Sequence, residues 1–254
     1  MKELIKISGY SLSYEDKTIL NNVTYSFYSG NVYLIDGNNG VGKSSFIKSL
    51  LGLEKKDKHE SGSIQIDNSK NVLEMSDSEL LELRSKVAYL EQKDYYESYK
   101  GISVFEILKD SYKAHLGRKL SAEDLDYIKN VFDEYADCLT FDLNSKVHKL
   151  SGGQQRMLSI ISSICLMNDS NVYIIDEPLN NLDMNNVVKI SNVLNKLVRG
   201  KKDSLVIMVT HCKIFPFVTK VIKIENCYFV ENSDSIECHS CFGNHDEDGF
   251  YNWR

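Results

Sequence analysis

The 254-residue sequence predicts an α/β fold with a mostly parallel central sheet, an N-terminal antiparallel β subdomain and an inserted α-helical subdomain. Three short apolar runs, at residues 32–35, 172–175 and 205–209, carry most of this prediction. Each run has the length of a buried strand, and segments with helical spacing lie between them. Strands that alternate with helices in this way favour parallel pairing.

The first thirty residues predict the β subdomain. Val23, Tyr25 and Phe27 alternate with polar neighbours, which is typical of a sheet with one wet face. Residues 62–66 and 87–90 predict further short strands, and residues 221–224 and 228–230 predict the last two.

Residues of about 93–165 predict the helical insertion. Val104, Ile107 and Leu108 have helical spacing, residues 125–132 repeat it, and strand-like runs do not return until residue 172. The chain has two prolines and no internal repeat, so we expect one folding unit over residues 1–231 and a polar tail over residues 232–254.

A phosphate-binding loop follows the first apolar run. It fits the pattern G-x-x-x-x-G-K-[ST] and consists of Gly37, Asn38, Asn39, Gly40, Val41, Gly42, Lys43 and Ser44. Its glycines permit a backbone whose N–H groups turn towards phosphate oxygens, and the following helix adds a positive N-terminus. Lys43 is expected to reach the β- and γ-phosphates, and the Ser44 hydroxyl is expected to bind Mg²⁺. The motif predicts a P-loop NTPase core.

Two carboxylates end the second apolar run. Asp176 and Glu177 follow it directly, and buried carboxylates are costly unless a cation lies beside them. We expect Asp176 to hold Mg²⁺ and Glu177 to act as the general base that activates water. The third run ends in Thr210 and His211, at the position where open α/β sheets bind ligands.

A second glycine-rich helix start lies more than a hundred residues downstream. Leu150, Ser151, Gly152, Gly153 and Gln154 precede an apolar-patterned helix, and Ser151 is a natural N-cap. This helix start is another potential anion site, but it has no evident use within the chain's own nucleotide site.

The pentapeptide and the phosphate loop together resemble the ATP-binding cassette (ABC) family. The resemblance covers roughly residues 1–231 and implies an ATPase in which residues 151–154 of one subunit cover the γ-phosphate bound by another. It implies that Gln92 senses Mg²⁺ and water, that Asp183 lies in a loop crossing the dimer interface and that His211 contacts the γ-phosphate. It assigns adenine stacking to Tyr14, with Tyr10 as the alternative.

The sequence departs from the family pattern at a few positions. Ser45 replaces the commoner threonine next to the phosphate loop, although it still belongs to the expected nucleotide contacts. Asn180 and Asn181 stand where many transporter cassettes have Ser-Ala, which keeps a non-transport function open. Every catalytic position is filled, so the resemblance implies a working ATPase with ATP and Mg²⁺ as cofactors.

Composition limits the other possibilities. The formal charge of −6 argues against a nucleic-acid surface, and the sequence contains neither a signal-like amino end nor an apolar run long enough for a bilayer span. We therefore expect a cytoplasmic protein that meets a membrane only through a partner. Six cysteines fit a reducing compartment. Only Cys238 and Cys241, with His245 nearby, have the spacing of a zinc site, and a polar tail is the favoured interpretation.

The resemblance implies the nucleotide-binding subunit of a transporter, working as a homodimer or with a related subunit on a separate transmembrane permease. The aromatic cluster Tyr95, Tyr96 and Tyr99, within residues 94–107, is expected to line the groove that receives the permease. A loop that packs its own tyrosines is the alternative. A soluble ABC-type ATPase that acts on a ribosome or a cytosolic complex is the competing function, and a small-molecule kinase leaves residues 150–154 unexplained.

Overall fold

The computed structural model describes residues 1–15, 17–53, 57–93, 96, 99–167, 169–210 and 215–232. Its strands are β1 (Glu3–Tyr14), β2 (Lys17–Tyr28), β3 (Val32–Asp36), β4 (Lys58–Ile66), β5 (Val87–Leu90), β6 (Val172–Asp176), β7 (Leu205–Val209), β8 (Lys220–Glu225) and β9 (Tyr228–Asn232). Its helices are α1 (Lys43–Leu50), α2 (Asp77–Ser85), α3 (Val104–Leu116), α4 (Ala122–Glu134), α5 (Gly152–Ile160) and α6 (Met184–Arg199).

Two sheets organise these elements. The central sheet has the strand order β5-β6-β7-β3-β8-β9, and all of its pairs are parallel except the antiparallel hairpin of β8 with β9. The second sheet is antiparallel, with the order β2-β1-β4. The expected mostly parallel sheet and antiparallel β subdomain are both confirmed.

Both faces of the central sheet are covered. Along β3, Val32 and Leu34 pack into a cluster with the helices of residues 104–197, whereas Tyr33 and Ile35 pack into a second cluster with β1, β2 and α1. Because successive side chains of a strand point to opposite faces, a strand covered on both sides must be apolar at every position. This explains the uninterrupted apolar runs in the sequence.

Helices fill the segment between β5 and β6. In the described part of this segment, α3, α4 and α5 are accompanied by short 3₁₀ turns, and α5 continues into a π-helical turn over Ile161–Cys165. The backbone N–H of Leu166 donates to the carbonyl of Ile161, five residues earlier, at 3.0 Å. Serines at positions 103, 121 and 151 begin α3, α4 and α5 with complete capping boxes.

Two elements differ from the sequence prediction. Helix α2 was not predicted, because only Leu80 and Leu83 of its nine residues are buried and its apolar pattern is weak. Strand β4 begins at Lys58 rather than at residue 62, since the polar residues 58–61 pair with Ser11–Tyr14 of β1 through their backbones. Among the described helices, none combines the length and apolarity needed to cross a bilayer.

Candidate functional site

The carboxyl ends of β3, β5, β6 and β7 meet at one edge of the central sheet, and the candidate residues follow these ends. The phosphate loop leaves β3 and enters α1 at Gly42, which has a φ of 109° and provides no side-chain cap. A Cβ at Gly42 would come within 2.0 Å of the Ile19 Cγ2 atom, so both backbone conformation and space require glycine here. The first N–H groups of α1 therefore remain available to an anion.

Lys43 lies at the centre of this loop. Its buried ammonium group donates hydrogen bonds to the carbonyls of Gly37 at 2.8 Å and Asn38 at 3.3 Å. Burial lowers the pKa of Lys43, while the carboxylates of Glu177, Asp36 and Asp176 oppose that shift. The cation is thus held between the loop backbone and three acidic residues from two neighbouring segments.

Asp176 and Ser44 converge beside the loop. Asp176 is 1% exposed at the end of β6, and the Ser44 hydroxyl donates to its Oδ1 atom at 3.4 Å. Burial raises the pKa of Asp176 to about 6, and the Glu177 charge acts in the same direction, whereas the Ser44 hydrogen bond lowers it. A hydroxyl and a buried carboxylate form a hard-oxygen set that suits Mg²⁺, which is commonly bound by one or two protein ligands together with substrate phosphates.

Glu177 is held in an unusual conformation. Its φ is 47°, in the left-handed region that non-glycine residues rarely adopt, and its backbone N–H donates to the carbonyl of Val209 at 2.8 Å. The carboxylate is buried directly after Asp176. Strained backbone of this kind is concentrated at functional sites.

The two tyrosines proposed for base stacking have different environments. Tyr10 is fully buried, and its hydroxyl donates to Glu60 Oε1 at 2.7 Å, so its ring is not accessible to a ligand. Tyr14 is half-buried at the end of β1 and pairs with Lys17, whose ammonium donates to the carbonyl of Gly40 at 2.7 Å. The turn that carries Tyr14 therefore lies against the phosphate loop, which favours Tyr14.

Gln92 follows β5 and is exposed. In the parallel register Leu90, two residues before Gln92, lies opposite Ile175, the residue before Asp176. Ser45 is the third residue of α1 and is half-buried. His211, predicted to follow β7, lies outside the described residues, as do Asp94, Tyr95, Cys238, Cys241 and His245.

The pentapeptide begins α5. The Ser151 hydroxyl accepts from the Gln154 backbone N–H at 3.4 Å, and Gln154 Oε1 accepts from the Ser151 backbone N–H at 2.8 Å. The Gln154 side chain also donates to the Thr140 hydroxyl at 2.9 Å. Ser151 and Gly152 are exposed, and a Cβ at Gly152 would meet no heavy atom within 4 Å. The start of α5 is thus an open surface.

Gly153 and Asp183 connect the start of α5 with the start of α6. Asp183 is exposed and caps α6 by accepting from the Asn186 backbone N–H at 3.0 Å and from its side-chain amide at 2.7 Å. A Cβ at Gly153 would come within 2.2 Å of that Asn186 amide nitrogen. The second glycine of the pentapeptide is therefore explained by close packing against α6.

Sequence reasoning missed Arg156. Its guanidinium group is buried and donates to four backbone carbonyls at the ends of β5 and β6. A signal for it exists in the sequence, because position 156 falls on the same face of α5 as the buried residues Gly153, Met157 and Ile160. A charged residue on a buried helix face needs hydrogen-bond partners in the interior.

A groove of about 240 Å³ lies beside the end of β5. It is lined by Tyr89, Leu90, Glu91, Lys93, Tyr96, Tyr99, Ser159 and Ser163. Tyr96 and Tyr99, predicted for such a groove, pack edge to face with ring centroids 6.0 Å apart. The Tyr96 hydroxyl is also 3.4 Å from the Ser162 hydroxyl in the π-helical turn. Tyr96 and Tyr99 therefore line the groove and also pack on one another, and a permease in this groove stays a prediction.

Comparisons with known proteins agree on one family. The sequence model of the family described as ABC transporter matches residues 20–180. The probable peptide export ATP-binding protein YydI of Bacillus subtilis is 26% identical, over 92% of this chain and 93% of that protein. The zinc import ATP-binding protein ZnuC of Buchnera aphidicola is 28% identical, over 83% and 75%. An ATP-binding cassette solved as a post-hydrolysis dimer with ADP and Pi shares the fold, with a TM-score of 0.73 and 24% identity over 90% of this chain and 98% of that one.

Proposed function

The chain belongs to the ABC transporter family, and from that premise we propose that it pairs head to tail with a second cassette around two ATP-Mg²⁺ and drives a separate transmembrane permease. It is an ATP-binding ATPase subunit of a transporter. One observation carries the proposed site: the open start of α1, the Lys43 ammonium and the buried Asp176 and Glu177 carboxylates converge at one edge of the sheet.

ATP binds with its adenine ring on Tyr14 and its phosphates against the N–H groups of residues 37–45. Lys43 moves its hydrogen bonds from the loop carbonyls to phosphate oxygens. Its positive charge then offsets the negative charge of the β- and γ-phosphates. Ser44 and Asp176 would hold Mg²⁺, with Gln92 as a further ligand. When bound, the ion supplies positive charge that stabilises the departing phosphate oxygens.

Glu177 is the general base. It follows the last residue of β6 in a left-handed backbone conformation, and its neighbour Asp176 would hold the metal. The carboxylate orients the attacking water and accepts its proton, and the family resemblance assigns a contact with the γ-phosphate to His211. The ammonium group of Lys43 interacts favourably with the Glu177 carboxylate.

The start of α5 acts on the nucleotide of the partner. Its exposed residues Ser151 and Gly152 offer a hydroxyl and a backbone N–H group to the γ-phosphate bound by another cassette. Asp183, exposed at the start of α6 and connected to Gly153 through Asn186, lies in the same dimer contact. ATP binding thereby joins the two cassettes, and hydrolysis lets them separate.

The permease binds in the groove that contains Tyr96 and Tyr99. The groove lies next to Gln92, so the partner is mechanically coupled to a residue at the nucleotide. This contact holds the chain at the cytoplasmic face of the membrane. The relatives are named as subunits for peptide export and zinc import, which favours transport over the soluble regulatory ATPase.

The experiment is a dimer test with a hydrolysis-deficient variant. Purified Glu177→Gln protein is mixed with ATP and Mg²⁺, and its mass is measured by size exclusion with light scattering. We expect a dimer with ATP and a monomer without it. A variant that stays monomeric at saturating ATP, both alone and with its permease, contradicts the proposal. Adding Ser151→Ala to the same chain should weaken the dimer.

The permease contact has its own test. Cysteine is introduced at Tyr99 in the assembled complex, and crosslinks to the membrane subunit are identified by mass spectrometry. A cysteine at Leu81, which is exposed on α2, serves as the control. Crosslinks from position 99 alone support the groove, whereas equal or absent crosslinking from position 99 contradicts it.

A further inference from the structure

Arg156 connects helix α5 with the segment that follows β5 and with the segment at the end of β6. It lies on α5, five residues after Ser151, and its side chain is almost completely buried, with 3% exposed. Its Nη1 group donates to the Glu91 carbonyl at 2.7 Å, directly before Gln92. Its Nη2 group donates to the carbonyls of Asp176 at 3.0 Å and Glu177 at 2.9 Å, and its Nε group donates to the Pro178 carbonyl at 3.1 Å.

These bonds hold the backbone rather than a reacting group. All four acceptors are main-chain oxygens, and three of them belong to consecutive residues at the end of β6. A planar guanidinium group can bond in several fixed directions at once, whereas a lysine ammonium cannot reproduce that arrangement. Leaving even one of these buried carbonyls without a donor costs free energy, so the arrangement strongly favours a single relative position of α5 and β6.

We propose that Arg156 is a positioning residue that makes the start of α5 and the Glu177 segment one rigid unit. The proposal rests on the proposed head-to-tail dimer. In that dimer the start of α5 serves the partner's nucleotide, and Glu177 serves the chain's own nucleotide. One arginine therefore sets the geometry of two active sites at once, and a shift of α5 on dimer closure moves the backbone of Glu91, Asp176 and Glu177 with it.

This role predicts an unusual pattern in mixed dimers. Glu177→Gln in protomer 1 leaves a single working site, formed by the phosphate loop and Glu177 of protomer 2 and by the Ser151 helix of protomer 1. Ser151→Ala should then abolish turnover when placed in protomer 1 and should have little effect in protomer 2. Arg156→Lys should lower kcat from either protomer, by about tenfold to a hundredfold, because misplacing reacting groups by about 1 Å has an effect of that size.

The experiment uses the two protomers with different affinity tags, co-expressed with the permease so that both cassettes stay in one assembled complex. The complex is purified on both tags and assayed for phosphate release. Binding of a fluorescent ATP analogue and the Tm are measured for each chain, and the analogue's Kd should change less than about threefold in Arg156→Lys. Loss of folded protein also lowers the apparent kcat at an unchanged KM for ATP, so kcat is normalised to the number of sites that bind the analogue. A drop in kcat that remains after this normalisation distinguishes positioning from simple loss of folded protein.

Arg84 provides the matched control. It also ties two segments together through carbonyls, since Nε donates to Leu51 at 2.8 Å and Nη2 donates to Gly52 at 2.8 Å, but these lie at the far end of α1. Arg84→Lys should lower the Tm comparably and leave kcat within about twofold from either protomer.

The outcomes distinguish a failure of the role proposed for Arg156 from a failure of the proposed dimer. A defect of Arg156→Lys from only one protomer overturns the coupling, and so does a defect matched by Arg84→Lys. If Ser151→Ala instead impairs turnover equally from both protomers, the head-to-tail arrangement itself is wrong. The positioning role proposed for Arg156 is then wrong for that separate reason.

Discussion

Helix α1 begins at Gly42 without a side-chain cap, whereas α5 begins at Ser151 with a complete capping box. The first turn of α1 is surrounded by its own chain, with the Lys43 ammonium and the Asp176 and Glu177 carboxylates buried beside it. At the start of α5, Ser151 and Gly152 are exposed, and the first turn contains no charged residue. Both starts can bind an anion, but only α1 brings its own cation and metal ligands.

The difference supports the proposal that the start of α1 acts within the chain and the start of α5 acts across a dimer interface. A triphosphate needs positive charge to offset its own, and α5 supplies only backbone dipoles and a hydroxyl. Such a surface cannot retain a nucleotide alone, yet it can complete a site whose charges are already balanced by α1. The four predictions below test this division between the two helix starts.

The largest expected effect is on chemistry at the α1 end. Glu177→Gln should lower the rate of phosphate release by roughly 10²–10⁴-fold, the usual contribution of a general base, while ATP still binds. Glu82→Gln, on the exposed face of α2, is the control and should leave the rate unchanged. A Glu177→Gln protein that turns over at the wild-type rate would show that the base lies elsewhere.

The second prediction concerns the buried charge of Asp176, whose pKa is raised to about 6 from an ordinary 3.8. The folded protein holds this proton more tightly than the unfolded chain, so the stability from protonation is fully present below about pH 4 and is lost as the pH rises through 6. Without Mg²⁺ at pH 8, Asp176→Asn should therefore increase the free energy of unfolding by about 3 kcal/mol, an advantage that vanishes below pH 4.

Urea titrations at pH 4, 6 and 8 measure that pH dependence. Ser151→Ala is the matched change at the α5 start, and it should lower stability by about 1 kcal/mol at every pH, because it removes a neutral cap. If the Asp176→Asn variant is no more stable than wild type at pH 8, other groups of the chain already offset the cost of burying the Asp176 charge.

The third prediction separates the two starts by nucleotide affinity. Lys43→Ala should weaken binding of a fluorescent ATP analogue to the monomer by about 2 kcal/mol, since charge-assisted hydrogen bonds are lost. Ser151→Ala should leave monomer affinity unchanged and impair only turnover. An equal loss of monomer affinity in both variants would contradict the proposed division of roles between the starts of α1 and α5.

The smallest effect distinguishes the two glycines of α5. Gly152→Ala meets open space and should change the Tm little, or raise it slightly, because alanine favours a helix. Gly153→Ala pushes the Asn186 amide away from Asp183 and should lower stability by about 1 kcal/mol. Differential scanning calorimetry measures both. Equal Tm values would show that Asn186 moves aside without cost.

Much of this site could be predicted from the sequence, because its signals are local. Glycine spacing at residues 37–42 encodes the turn, and the Ser151 to Gln154 spacing encodes the cap of α5. Uninterrupted apolar runs encode strands covered on both faces. Each of these depends only on neighbours along the chain.

The remaining features depend on contacts that sequence spacing does not specify. Tyr10 and Tyr14 stand on the same strand, and only the pairing of β4 with β1 buries Tyr10 against Glu60. The acceptors of Arg156 are backbone oxygens, whose positions follow from the register of β5 with β6 and not from any side chain. The exposed helix α2 buries too few residues to leave a clear pattern.

The wide turn at residues 161–165 has a consequence for how this chain is aligned with others. A π turn accommodates one residue more than the same length of α-helix, so an insertion or deletion there can be absorbed without displacing either end. A structural alignment with a relative whose helix winds regularly from the position of Ser151 must therefore leave room for one extra residue here. Residue numbers transferred from relatives should be anchored again at Val172, where β6 begins.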